Sequence, residues 1–236
     1  MKEPLVLLPG MMCDARLFGP QIAELSCDMA VMVAPVTVGE RVEEIASSLL
    51  DVLPKRFALA GTSLGGVVAM EILRRAPDRV TRIALIGTHP LAETPVVAAN
   101  REPMIVRVRS GRFAEVVREE IGPGTLAPGR YRAEVLDLVM EMARTLGPEI
   151  YIRQSRAMQR RKDQQATLRR CKVPTLIMCG AYDQIAPVKR HEFMAELIPY
   201  ARLCVLENSG HLPTLEQPDE ATAALRSWMT QPYVLK

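Results

Sequence analysis

The stretch LAGTSLGGVVAM, residues 59–70, decides the fold of this chain. It joins RFALAG (56–61), a short apolar run that predicts a buried strand, to LGGVVAMEILRRA (64–76), whose apolar first half predicts a buried helix. Two hydroxyl side chains, Thr62 and Ser63, stand at the junction. The pattern therefore predicts a tight strand-to-helix turn with Ser63 at its tip.

The five residues from Gly61 to Gly65 read G-x-S-x-G. Between a strand and a helix this motif is typical of a nucleophile elbow, a turn so tight that its backbone is strained. The neighbours of the serine must then be small, and Gly61, Gly65 and Gly66 meet that need. The alternative is an ordinary glycine-rich helix start in which the Ser63 hydroxyl only caps the helix.

The rest of the chain alternates strand-like and helix-like segments. Short apolar runs predict five further strands, at 4–10, 29–36, 79–88, 173–180 and 201–207. Helical periodicity is clearest at 40–54, 188–198 and 219–229. This alternation predicts right-handed crossovers and a parallel sheet with helices on both faces. Ligands of such sheets bind at the carboxyl ends of the strands.

The alternation stops after the fourth strand and resumes at the fifth. We expect a core formed by residues 1–90 and 171–236, and a mainly helical cap, residues 91–170, over the carboxyl edge of the sheet. Within the cap, helical patterns are clearest at 114–122 and 132–147, with a loop at 123–130 between them.

A serine nucleophile needs a base, and the base needs an orienting acid. The chain has three histidines. His211 follows the sixth strand and is the preferred base, while His89, just after the fourth strand, is a candidate for lining the pocket. His191 lies among charged residues of a predicted helix, so we expect it on the solvated surface. Asp183, after the fifth strand, completes the order serine, acid, histidine, although it could instead only cap the following helix.

Catalysis at a carbonyl also needs donors for the developing oxyanion. The amide of Leu64, at the start of a helix, is one candidate. The loop after the first strand supplies the other, with the Met11 amide preferred and Met12 second; core packing is the alternative role for both methionines. Met12, His89 and Leu212 are predicted to contact substrate.

Four segments carry a resemblance to a known family: LLPGMMCDARLF (7–18), LAGTSLGGVVAM (59–70), VPTLIMCGAYDQIAP (173–187) and ENSGHLPTLEQPDE (207–220). Together they resemble the α/β-hydrolase superfamily, in its capped serine esterase-like branch. The resemblance implies an α/β-hydrolase fold that needs no cofactor. It also implies a nucleophile, an acid, a base and two oxyanion donors, which are Ser63, Asp183, His211, Met11 and Leu64.

The chain departs from the family pattern at two places. Pro9-Gly10 stands where the family usually has His-Gly, which keeps the following amide but changes its surroundings. The first strand leads directly to that loop without the antiparallel hairpin that often precedes it, so we expect a reduced, six-stranded parallel sheet. A serine at position 63, rather than an aspartate, argues against haloalkane dehalogenase and epoxide hydrolase chemistry.

Composition limits the classes of protein. The 236 residues are 48% hydrophobic and 24% charged, as in ordinary globular proteins, and the net charge of +3 is too small to indicate a nucleic-acid partner. No apolar run reaches the ~20 residues that a membrane helix needs. Thirteen methionines and few aromatics predict a pocket of aliphatic and thioether groups. Three scattered histidines make a metal site unexpected.

The cysteines indicate the compartment. Five of them, an odd number without metal-ligand spacing, are expected to be buried free thiols of a reducing compartment, so we expect a cytoplasmic protein. They are Cys13, Cys27, Cys171, Cys179 and Cys204.

Positive charge is concentrated in the predicted cap. Residues 92–170 hold 15 basic and 10 acidic side chains, and Arg153, Arg156 and Arg160 recur at the spacing of one helix face. This face is either simply solvated or attracts an anionic substrate or carrier, such as a carboxylate, a coenzyme A thioester or an acyl-carrier protein. Pimeloyl-ester carboxylesterase-like members of the superfamily support the second interpretation by resemblance.

The sequence thus predicts a serine hydrolase that cleaves a carboxylic ester or thioester through an acyl-enzyme. Two alternatives are a carbon–carbon-bond hydrolase with the same three residues and a non-catalytic ligand-binding member of the fold. The acyl and alcohol groups of the substrate and the oligomeric state stay open.

Overall fold

The computed structural model describes residues 3–233, so the ends of the predicted core, residues 1–2 and 234–236, lie outside the described part. One parallel sheet has the strand order β2-β1-β3-β4-β5-β6. Its strands are β1 (Leu5–Leu8), β2 (Val31–Val33), β3 (Phe57–Thr62), β4 (Val80–Ile86), β5 (Thr175–Gly180) and β6 (Ala201–Leu206). The predicted six-stranded parallel sheet is confirmed.

The four inner strands are buried on both faces, whereas the edge strands β2 and β6 are partly exposed. This explains why the inner strands are continuous apolar runs rather than alternating ones. Along β1, Val6 and Leu8 pack into one core cluster while Leu5 and Leu7 pack into another. Each face of the sheet therefore has its own hydrophobic core.

Helices cover both faces of the sheet. In the core they are α1 (Gly19–Leu25), α2 (Val42–Val52), α3 (Leu64–Arg75), α9 (Val188–Leu197), α10 (Pro213–Glu216) and α11 (Pro218–Met229). Side chains of α2, α3 and α9 fill one cluster, and those of α1 and α11 fill the other. A 3-10 turn, Ala15–Phe18, leads into α1.

Five helices lie between β4 and β5: α4 (Pro95–Arg109), α5 (Phe113–Glu120), α6 (Arg132–Leu146), α7 (Pro148–Gln159) and α8 (Gln165–Arg169). We call residues 91–170 the inserted segment. The predicted helices at 114–122 and 132–147 correspond to α5 and α6, and the predicted loop at 123–130 contains a 3-10 turn, Pro123–Thr125. A third apolar cluster contains side chains of α4, α5, α6 and α7, together with Met12 of the core.

The cysteine prediction needs one correction. All five cysteines are free, and Cys13, Cys171 and Cys179 are buried while Cys204 is half-buried. Cys27 is exposed, because it lies in the turn after α1 rather than in a strand. The prediction of a buried thiol is wrong at that position.

Among residues 3–233, no helix is both long enough and apolar enough to cross a bilayer.

Candidate active site

Ser63 occupies a strained turn between β3 and α3. Its backbone has φ +52° and ψ −115°, a left-handed conformation that costs about 1–3 kcal/mol for a residue other than glycine. The backbone carbonyl of Ser63 accepts from the amides of Gly66 and Val67, while its side chain makes no capping bond to the helix. The hydroxyl is therefore free of the capping role that was the alternative interpretation.

Glycine is required on both sides of this turn. A Cβ on Gly61 would lie 2.3 Å from the Gly65 carbonyl oxygen, and a Cβ on Gly65 would lie 2.1 Å from the Leu8 carbonyl oxygen. Both distances are far inside van der Waals contact, and the obstacles are backbone atoms that cannot rotate away. The predicted reason for these glycines, close approach around the turn, is the one that the structure gives.

Three side chains from three strand ends meet at the carboxyl edge of the sheet. His211 Nε2 lies 3.1 Å from Ser63 Oγ, and His211 Nδ1 lies 3.0 and 3.1 Å from the two carboxylate oxygens of Asp183. Asp183 and His211 are both buried. With the Nδ1 proton donated to Asp183, Nε2 presents a lone pair to the serine hydroxyl, which is the arrangement that proton abstraction requires.

Asp183 is fixed by its own loop as well as by His211. Its Oδ1 accepts from the amides of Ile185 and Ala186, each at 2.9 Å. These residues precede α9, which begins at Val188, and no side chain caps that helix. Asp183 thus orders the loop before α9 and holds the imidazole at the same time.

The loop after β1 presents two amides beside Ser63, and one of them is occupied. The Met12 amide donates to Gln154 Oε1 of α7 at 2.9 Å, and Gln154 Nε2 donates to the Val36 carbonyl at 3.0 Å. Met12 itself is left-handed, with φ +55°. Within residues 3–233 the amides of Met11 and Leu64 have no hydrogen-bond partner. Of the two amides of this loop, the described contacts therefore leave only that of Met11 unpaired.

Gln154 is a residue that sequence analysis missed. It is 1% exposed and joins the inserted segment to two core loops. An amide side chain within a helical pattern carries no signal of such a contact, because its partners are backbone groups distant in sequence.

A cavity of about 260 Å³ adjoins the serine. The core contributes Met11, Met12, Ser63, His211 and Leu212 to its lining, and the inserted segment contributes Arg101, Val117, Glu120, Ile121, Val139 and Met158. The predicted contact residues Met12 and Leu212 are among these, and thioether and aliphatic groups dominate, as composition suggested.

His89, the third predicted contact residue, is not among the residues that line the cavity. Its Nε2 lies 3.0 Å from Nη2 of Arg161. Burial, together with the positive charge of Arg161, lowers the pKa of His89 to about 3. The ring is therefore neutral at physiological pH and accepts a hydrogen bond from the guanidinium.

His191 is buried, so the prediction of a solvated surface position is wrong. Its Nε2 accepts from the Thr88 amide at 3.1 Å, and the Thr88 hydroxyl donates to the Ser63 carbonyl at 2.9 Å. Burial lowers the pKa of His191 to about 4, which keeps the ring neutral. The charged neighbours in sequence misled the prediction, since α9 turns this one residue inward against the end of β4.

The predicted arginine face of α7 is partly engaged with the core. Arg156 and Arg160 both contact the Glu40 carboxylate, at 3.1 and 3.4 Å. These contacts connect the inserted segment to the loop before α2.

Across the described residues, 3–233, no group of three or more His, Cys, Asp or Glu side chains is placed to bind a metal ion.

A strained serine at a strand-to-helix turn, next to a histidine and an aspartate from later strand ends, defines the class of the α/β hydrolases. The chain belongs to the alpha/beta hydrolase family, whose sequence model matches residues 5–225. The predicted superfamily and fold are confirmed, as is the prediction of a hydrolytic enzyme with esterase-like relatives.

Several named proteins are similar to this chain. A pimeloyl-[acyl-carrier protein] methyl ester esterase of Aromatoleum aromaticum is 28% identical over 79% of this chain and 79% of its own length. A putative carbamate hydrolase, RutD, of Pseudomonas savastanoi is 24% identical over 91% and 88%. The structure of a thermophilic esterase from Thermogutta terrifontis superposes with a TM-score of 0.87, 28% identity and coverage of 96% and 89%.

Proposed function

We propose that this protein hydrolyses carboxylic esters or thioesters through an acyl-enzyme formed on Ser63. The observation that carries the proposal is the hydrogen-bonded series Ser63–His211–Asp183 beside a cavity. The esterase names of relatives that are 28% identical support the ester as the bond cleaved.

In the acylation step, Ser63 Oγ attacks the carbonyl carbon while His211 Nε2 removes the hydroxyl proton. Asp183 stabilises the imidazolium that forms. The carbonyl oxygen becomes an oxyanion, for which the free amides of Met11 and Leu64 are the donors. When the tetrahedral intermediate collapses, the bond to the alcohol or thiol breaks, and His211 gives its proton to that leaving group.

Deacylation repeats these steps with water. His211 removes a proton from a water molecule as its oxygen attacks the acyl carbon, and the same two amides receive the oxyanion. Collapse breaks the bond to Ser63 Oγ, which regains the proton from His211. The products are a carboxylic acid and the free serine.

The inserted segment, residues 91–170, acts as a cap in this proposal. Support comes from its contribution of residues of α4 and α5 to the wall of the cavity that holds Ser63. The cavity volume of about 260 Å³ lies below the roughly 300–1,000 Å³ of pockets that hold drug-sized ligands, which favours a short substrate group. A carrier-bound substrate gains less support, because two arginines of the predicted basic face already contact Glu40.

The first test is turnover of p-nitrophenyl esters by Ser63→Ala. We expect kcat to fall at least ~10³-fold, because the substitution removes the nucleophilic hydroxyl. The packing of the surrounding side chains should stay unchanged, so the variant should fold. Ser110→Ala is the control, since Ser110 is exposed and bonds only the Arg107 carbonyl. Unchanged turnover by Ser63→Ala, with an intact circular dichroism spectrum, would refute the proposal. Faster cleavage of a vinylogous diketone than of any ester would instead favour the carbon–carbon-bond alternative.

A further inference from the structure

Two ionisable side chains of the inserted segment line the same cavity as Ser63. Arg101 comes from α4 and Glu120 from the last position of α5. Most of the other lining side chains are apolar, among them Val117, Val139 and Met158. Burying a charged group in an apolar wall is costly unless the group has a partner. The polar atoms of Arg101 and Glu120 that have no partner in the protein therefore indicate which ligand atoms could bind there.

Only some of the N–H groups of the Arg101 guanidinium have a hydrogen-bond partner. Its Nε and Nη2 donate to the buried carboxylate of Glu93, with Nε 2.8 Å from Oε2. Its Nη1 makes no hydrogen bond to any residue in the range 3–233. Both N–H groups of Nη1 in this cavity-lining arginine are therefore available to a ligand, and Glu93 fixes the orientation of the guanidinium plane.

Glu120 likewise has a hydrogen-bond partner on only one of its two carboxylate oxygens. Tyr151 donates its hydroxyl to Oε1 at 2.8 Å, whereas Oε2 has no partner among the described residues. Burial is the main cause that raises the pKa of Glu120. The unpaired oxygen accepts a hydrogen bond when the carboxyl group is ionised and can donate one to an anion when it is protonated.

A second arginine of the inserted segment is buried near this wall. Arg161, which is 8% exposed, has no carboxylate within 4 Å in the described part of the chain, and its contact is to the neutral ring of His89. Burial lowers the pKa of Arg161 to about 10, while the negative charge of Glu93 opposes that shift, so Arg161 stays cationic. The charge of Glu93 thus acts on both Arg101 and Arg161, and a ligand carboxylate would add a second negative charge beside Arg101.

We propose that Arg101 and Glu120 form a subsite for a free carboxylate of the substrate, at the end remote from the bond that Ser63 attacks. The substrate class is an ester of a short dicarboxylic acid whose second carboxylate is ionised. Arg101 Nη1 donates a charge-assisted hydrogen bond to this carboxylate, and the protonated form of Glu120 donates a second hydrogen bond. The proposal rests on the esterase function proposed above.

The test compares two methyl esters that differ only at the remote end, monomethyl glutarate and methyl pentanoate, by release of methanol. We expect kcat/KM to be at least ~10-fold higher for monomethyl glutarate, since a charged hydrogen bond contributes about 1.5–3 kcal/mol. An equal or lower kcat/KM for monomethyl glutarate overturns the proposal.

The matched variant is the double substitution Arg101→Met with Glu93→Gln, which removes both members of this ion pair. We expect it to reduce the preference for monomethyl glutarate at least ~10-fold. The control is Arg109→Met, on the same helix but exposed, and it should keep the wild-type ratio. A preference that survives the double substitution overturns the subsite.

A binding measurement separates this proposal from the esterase proposal. Calorimetric titration of Ser63→Ala with glutarate should show saturable binding that Arg101→Lys weakens, while neutral glutaramide should not bind. If neither methyl ester nor a p-nitrophenyl ester is cleaved, the esterase proposal fails, and the glutarate titration still decides the subsite. Equal binding of glutarate and glutaramide overturns the subsite whatever the turnover.

Discussion

Gln154 shows how a single side chain of the inserted segment can hold in place the loop after β1, which carries the Met11 amide of the proposed mechanism. It accepts from the Met12 amide and donates to the Val36 carbonyl, and both contacts are buried. Because Met12 is left-handed, the loop needs external support to hold the adjacent Met11 amide in place. Gln154 is thus a positioning residue in the proposed mechanism, not one that touches substrate.

We expect Gln154→Met to lower kcat about 10-fold with little change in KM, because the oxyanion is stabilised mainly in the transition state. Steady-state kinetics on a p-nitrophenyl ester measures both constants. Gln159→Met is the control. Gln159 lies on the same helix, but it donates to the Ala98 carbonyl at 2.9 Å and not to the loop after β1. Equal losses of kcat in the two variants would indicate a merely structural role for Gln154.

His191 predicts how stability depends on acidity. Its folded pKa of about 4 lies below the ordinary value of 6.5, so the neutral ring stabilises the fold above pH 6.5 and this contribution is lost as pH falls toward 4. Between pH 7 and pH 5 the loss is about 2 kcal/mol. His89, whose pKa is about 3, adds to the loss in the same direction.

Urea unfolding at pH 7 and pH 5 measures this effect. His191→Gln keeps a polar group that can accept from the Thr88 amide and removes the titration, so its free energy of unfolding should fall less between the two pH values. A wild-type protein as stable at pH 5 as at pH 7 would contradict the buried neutral ring.

The residues of the proposed mechanism were far easier to predict than those that support them. Ser63, Asp183 and His211 each follow a strand, and a parallel sheet gathers strand ends at one edge, so sequence order was sufficient to predict that these side chains lie close together. The roles of Gln154 and His191 depend on which side of α7 and α9 faces inward. Local composition did not reveal that, because polar residues surround both positions.

At the scale of elements, the turn between β3 and α3 is the most demanding piece of backbone. We expect Gly65→Ala to destabilise the fold by more than ~3 kcal/mol, because its Cβ would lie 2.1 Å from the Leu8 carbonyl oxygen and would separate β1 from α3. Thermal unfolding measures the loss. Gly19→Ala is the control, since a Cβ there meets nothing within 4 Å and the residue is helical. A similar melting temperature for the two variants would contradict this account of the turn.

Strands and amphipathic helices of the core were predicted because their periods are plain in the sequence. Helices α1, α4, α8 and α10 were not predicted, and α1 and α4 are the longest of these. α1 is only seven residues long and begins Gly-Pro, and α4 contains Pro103 and shows no apolar face. In both, packing against neighbours rather than local pattern decides the structure: α1 packs on α11, and α4 packs on α7.

At the scale of the whole molecule, the core and the inserted segment share the cavity between them. The core supplies Ser63, His211 and the loop after β1, and the inserted segment supplies Arg101 and Glu120. The division of labour in our proposals follows from this: chemistry is located in the core, and selection among esters in the inserted segment. The contacts of Gln154 and Glu40 are among those that join the two parts.

The most direct measurement of the central claim is covalent labelling by a fluorophosphonate, with the adduct located by peptide mass spectrometry. The Ser63 hydroxyl should attack phosphorus and expel fluoride, so the native protein should carry one adduct on Ser63, and His211→Ala should slow its formation by roughly 10²-fold or more. An unlabelled Ser63 in the folded protein, or labelling at an undiminished rate without His211, would contradict the proposed chemistry.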